Sequence, residues 1–140
     1  MMIKWKKEYS CYDSTIDEQH MKMIDMINQM SEIASIDDGY DRYDEIVKIF
    51  NGLKDYTVYH FNHEEGLFDQ HGYDSFNIKI QKLEHKSFIN KVAAINLYQL
   101  DENQTETVRS VLEFLSKWLD HHILVTDRKF GSFLEENAKE

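Results

Sequence analysis

None of the 140 residues is proline, and only five are glycine. Proline ends or kinks a helix because it lacks an amide donor and clashes with the preceding turn, and sheet-rich folds use more turn residues than this. The chain is therefore free to run long helices, and its apolar periodicity supplies four. The first begins after Asp17, a good N-cap, and reaches about Ile36, with His20, Met23, Ile24, Ile27, Met30 and Ala34 on one stripe. The second spans about Arg42 to Gln70, turning Ile46, Phe50, Leu53, Thr57, His60, Glu64, Leu67 and Phe68 inward. The third runs from about Phe76 to Leu100, with Ile78, Gln81, His85, Phe88, Val92 and Ile95 on its stripe. The fourth runs from about Glu106 to Glu136, with Val108, Val111, Leu112, Leu115, Leu119 and His122 inward. SIDDGYD (35–41), HGYDS (71–75) and DENQT (101–105) are turns by composition. Connections this short make successive helices antiparallel neighbours. The expected fold is all-α, an up-down-up-down antiparallel four-helix bundle forming one domain over residues 1–140, without internal repeats.

Composition removes several function classes. With 41% hydrophobic and 30% charged residues the chain is globular and not disordered. A net charge of −10 argues against a nucleic-acid partner, whose phosphates it would repel. No apolar run approaches the roughly 18 residues of a membrane span, and MMIKWKKEYS lacks the apolar stretch of a signal peptide. The single Cys11 cannot form an internal disulfide, so a reducing cytoplasm is the expected location.

The chemistry lies in polar residues on apolar stripes. YTVYHFNHEEGLF (56–68) sets two histidines and two glutamates in an aromatic and aliphatic run. His60 and Glu64, four apart, share the inward face. A lone inward histidine is usually a satisfied core residue, but here every helix has one: His20, His60, His85 and His122. They lie near the start, end, start and end of successive antiparallel helices, hence at one level. Buried polar groups need partners, and imidazoles with carboxylates suit iron, zinc or manganese. Two carboxylates able to bridge, Glu64 and Asp127, favour two metals. Asp127 lies five after His122, about 140° round a regular helix. It reaches the same centre only if the helix loosens across the largely β-branched run 123–126.

IDEQH (16–20), YHFNHEE (59–65), EHKSF (84–88) and WLDHHILVTD (118–127) resemble the motifs of bacterial hemerythrins, and Trp5 and the GY at 72–73 extend the match over nearly the whole chain. The resemblance implies a four-helix bundle with a non-haem di-iron centre, oxo- or hydroxo-bridged, that binds O₂ reversibly. It assigns His20 and His60 to an iron with an open site for O₂, Glu64 and Asp127 to the bridges, and His85 and His122 to the other iron. Met23, Phe61 and Val125 fall where apolar residues line the O₂ pocket, while His63, His71 and His121 match no ligand position. Gln81 stands where the family has a third histidine for the second iron, and Asp74 replaces a proline after GY. An amide oxygen is a weaker donor than imidazole, so Gln81 either coordinates, holds a water at the metal, or fills space. The leading reading is O₂ storage, delivery or sensing by a monomer rather than catalysis. The alternatives are a di-iron peroxidase, a nitric-oxide-handling protein, or an iron-responsive interaction module.

Overall fold

The structure, a computed structural model, describes residues 3–36, 41–95 and 104–138. No strand occurs among the described residues. The chain forms α1 (Ser14–Ala34), α2 (Tyr43–His71), α3 (Ser75–Ala93) and a fourth rod in three parts: α4 (Gln104–His121), a π-helical turn (His122–Asp127) and α5 (Arg128–Ala138). These four rods make the expected bundle. The parts of the expected elements at 37–40, 96–100 and 101–103 lie outside the described residues.

Local chemistry sets the helix ends. Asp13, and not Asp17, caps α1: its Oδ1 accepts the Ile16 amide at 2.9 Å. Asp17 is already one turn inside, where its carboxylate accepts the Cys11 amide at 2.8 Å and the Ser10 hydroxyl at 2.7 Å. At the far end of α2, Gly72 adopts φ 65°, a left-handed conformation that costs glycine nothing. The Tyr73 amide then donates to the Phe68 carbonyl at 2.9 Å, and the two rings meet at 5.6 Å. This is a Schellman stop with its hydrophobic contact. Asp74, where the family's proline would stand, starts α3 by accepting the Asn77 amide at 3.1 Å. Three residues, Gly72, Tyr73 and Asp74, thus reverse the chain.

The stripes close on one apolar core, in which Met23, Ile27, Leu53, Phe61, Phe68, Phe88, Leu115 and Ile123 are all buried. An N-terminal arm lies across it. Asn28 brackets Ile3 with bonds of 2.8 and 2.7 Å, and the Tyr9 hydroxyl donates to Asp120 at 2.7 Å. Tyr12, left-handed at φ 59°, then turns the chain into α1. The turn leaves Cys11 1% exposed against Gly131 of α5, where a Cβ would meet the Cys11 carbonyl oxygen at 2.6 Å.

That approach gives a prediction of opposite signs at two helical glycines. Gly131→Ala forces backbone apart and should lower stability by about 1–3 kcal/mol. Gly66→Ala, with nothing within 4 Å of its added methyl, should raise it by about 0.5–1 kcal/mol. Urea unfolding of the two variants measures both; a stable Gly131→Ala would mean that the arm is not docked on α5.

Candidate metal centre

Six side chains converge at one level, and none is more than 3% exposed: His20, His60, Glu64, His85, His122 and Asp127. The two carboxylates divide their oxygens. Glu64 Oε1 faces His20 Nε2 at 3.4 Å and His60 Nε2 at 2.5 Å, while its Oε2 faces His85 Nε2 at 3.5 Å. Asp127 Oδ2 faces His20 Nε2 at 3.0 Å, and its Oδ1 faces His122 Nε2 at 3.3 Å. Two clusters result, with Glu64 in both: His20, His60, Glu64 and Asp127, and Glu64, His85 and His122.

Asp127 enters this centre because the fourth rod loosens. In the π turn the Arg128 amide reaches back five residues to the Ile123 carbonyl, so the turn takes up one extra residue. Asp127, five after His122, thereby returns to the same face. The same rotation corrects the expectation for Val125. It is 56% exposed, whereas Ile123 is fully buried. Met23 and Phe61, each 2% exposed, are inside as expected.

Outer partners orient three of the four imidazoles. His60 Nδ1 lies 2.6 Å from Gln19 Oε1, His85 Nδ1 2.9 Å from Glu65 Oε2, and His122 Nδ1 2.7 Å from Glu84 Oε1. Each partner is an acceptor oxygen, so each Nδ1 carries the proton and each Nε2 turns a lone pair inward. His85 and His122 then face one another through these lone pairs at 3.2 Å. Two bare lone pairs would repel here; a proton on His122, or a cation between the two nitrogens, relieves that. Glu84 also accepts from Thr126 Oγ1 at 2.8 Å. The Cys11 thiol lies beside His20. None of these outer residues was assigned a role from sequence. The usable signal was adjacency: Gln19, Glu65 and Glu84 each sit beside a ligand in the chain.

Charge tells the same story. Burial pushes the Glu64 carboxyl up, yet His60, His20 and His85 hold its pKa well below the usual range. Asp127 is also lowered, since His122 and His20 outweigh burial and the charge of Glu64. Burial works against protonated His20 and His122, but the carboxylates prevail: His20 is raised well above its ordinary value and His122 to about 10. His60 is lowered by burial. Two buried anions thus demand positive charge here, which metal cations supply in place of protons.

The donor set fits such ions. His20 Nε2, His60 Nε2, both Glu64 oxygens and Asp127 Oδ2 are buried, and despite their short separations none makes a well-directed hydrogen bond. Octahedral donors with bonds of about 2.1 Å sit about 3 Å apart, close to most spacings above. A sequence profile described as the hemerythrin HHE cation binding domain matches residues 12–134. The chain belongs to the hemerythrin family. A bacteriohemerythrin of Clostridium acetobutylicum is 34% identical over 129 residues, covering 92% of this chain and 98% of that protein. One from Stenotrophomonas maltophilia is 28% identical over 131 residues, covering 93% and 80%. A crystal structure of wild-type hemerythrin aligns with a TM-score of 0.76 at 26% identity, over 94% of this chain and 97% of that one. Membership brings the family's function, O₂ binding at non-haem iron.

Of the remaining expected positions, Gln81 is 0% exposed and lies beside Asp127. Its amide nitrogen donates to Asp127 Oδ1 at 3.0 Å and to the Thr126 carbonyl at 3.3 Å. His121 and His71 are exposed and His63 is half-buried outside both clusters, as expected.

Glu84 provides a test of the outer layer. Glu84→Ala removes the acceptor of both His122 and Thr126 and should lower metal affinity about 10- to 100-fold. His121→Ala should leave it unchanged. Competition with a chelator measures both; equal affinities would mean that Glu84 does not orient His122.

Proposed function

We propose that the centre holds two iron ions, one at His20 and His60 and one at His85 and His122, and that O₂ binds reversibly at the His20–His60 end. The observation that carries this reading is the division of each carboxylate between the two ends, since one cation would not draw all four oxygens apart. Iron held by these residues would supply the reversible redox chemistry that O₂ binding needs. The protein's own part is to shape and dry the place where this happens.

At the His20–His60 end two imidazoles and two carboxylate oxygens leave room for a small ligand. Met23, one turn on from His20, and Thr57, whose hydroxyl lies 3.8 Å from the Met23 sulfur, cover that end. Phe61 stacks on His85 with centroids 3.9 Å apart, and Trp118 stacks on His122 at 4.4 Å. These rings hold the imidazoles of the second end in place and keep bulk solvent away from the centre, which protects a reversible carrier from irreversible oxidation. The function is accordingly storage, delivery or sensing of O₂, rather than peroxidase or nitric-oxide chemistry, by a cytoplasmic monomer. No helix among the described residues is long and apolar enough to cross a membrane.

Metal analysis after anaerobic loading should give two irons per chain, and a visible absorption band should appear in air and fade under argon. His20→Ala or His60→Ala should abolish the band's reversible part, whereas His63→Ala and His121→Ala should keep it. Iron at 100 times its dissociation constant should add about 2.7 kcal/mol of stability per site, read as a raised thermal midpoint. One iron per chain, or equal losses in all four variants, would sink the reading.

A further inference from the structure

The two ends of the centre are matched in donors. One has His20, His60, Glu64 Oε1 and Asp127 Oδ2; the other has His85, His122, Glu64 Oε2 and Asp127 Oδ1. Iron with histidine and carboxylate donors readily takes up to six ligands, so neither set fills its metal. At the second end the next polar group is Gln81, and its placement is constrained. Both amide protons are engaged, one by Asp127 Oδ1 and one by the Thr126 carbonyl. Turning the amide over would set its oxygen against a carboxylate and a carbonyl, so the nitrogen edge stays on Asp127. The oxygen Oε1 is left buried with no partner. An unpaired buried acceptor carries a desolvation cost of about 1–3 kcal/mol, which a donor from a small protic molecule would relieve.

We propose that the metal position at His85 and His122 keeps an open coordination place for a water-sized ligand, with Gln81 Oε1 as the hydrogen-bond acceptor beside it. Both ends of the centre then take exogenous ligands, not the His20–His60 end alone. Water occupies the second place at rest, and a diatomic molecule can displace it. Gln81 acts here as a positioning residue: it holds Asp127 through its nitrogen and accepts a hydrogen bond from the resting water through its oxygen. This inference rests on the two-iron reading.

The experiment counts open places with nitric oxide as the probe. Parent, Gln81→His and Gln81→Ala proteins are loaded with ferrous iron, analysed for metal, and titrated anaerobically, with freeze-quenched samples read by infrared and paramagnetic resonance. Iron other than two per chain in the parent would overturn the underlying reading itself. With two irons, the parent should bind two nitric oxides per chain and show two N–O stretching bands. Gln81→Ala should also bind two, with the second band shifted by loss of the amide carbonyl dipole beside it. Gln81→His adds an imidazole on the same face and should bind one. One nitric oxide in the parent but two in Gln81→Ala would overturn the proposal by showing the amide oxygen itself on the metal. One in all three proteins would overturn it by showing no open place at this end.

Discussion

Two carboxylates shut inside an apolar bundle govern the rest of this structure. Isolated buried charge costs several kcal/mol even after relaxation, and Glu64 and Asp127 are both at most 3% exposed at the side chain. Each therefore needs positive charge or donors at both oxygens. The imidazoles of His20, His60, His85 and His122 are drawn from all four rods to meet that need, which fixes the height at which the rods approach. Outside them, Phe61, Phe88 and Trp118 form a jacket whose rings contact one another, and Phe61 and Trp118 also contact the histidines. The jacket lowers the local polarity and so sharpens the same charge imbalance. Iron resolves it more fully than protons because a divalent ion satisfies several lone pairs at once.

The π turn in the fourth rod follows from this demand. A regular helix would leave Asp127 well off the face of His122; one extra residue restores it. The consequence extends beyond the ligand. Past the turn, the face of α5 is rotated as well, and Phe130 comes onto the core, edge-on to Phe68 at 4.7 Å. Gly131 meets Cys11 through the same rotation. Val125 is the residue displaced outward. A local departure from helical geometry, tied to one carboxylate, thus sets the packing of the last eleven described residues.

How much of this was readable from the chain follows the same physics. Apolar stripes at 3.6-residue spacing placed the four rods, because burial is the strongest local signal. The inward histidines stood out because each broke such a stripe. Depth could be matched from antiparallel order alone. Three things were not readable. Asp13 and Asp17 are both competent caps, and only the tether of Ser10 and Cys11 to Asp17 shows which one was free to cap. Val125 was placed on a regular helix, whose face the π turn moves. Gln81 was seen as a substitution, but its choice of Asp127 and Thr126 as acceptors depends on two rods meeting, which no local pattern encodes.

The outer partners show how adjacency in sequence becomes connection in space. Neighbouring residues on a helix point about 100° apart, so beside a ligand that faces the centre stands a side chain that faces the next helix. Gln19 on α1 holds His60 on α2, Glu65 on α2 holds His85 on α3, and Glu84 on α3 holds His122 on the fourth rod. The order runs one way around the bundle, each rod fixing the ligand of its successor. At His20 the series changes character, for the neighbouring group is the thiol of Cys11 on the N-terminal arm. That arm is held by Asp17 on α1, by Asp120 on α4 and by its contact with Gly131. The arm therefore belongs to the metal centre as much as to the fold: it closes the outer ring at the end proposed for O₂, with a softer and less polar group than the amide and carboxylates used elsewhere.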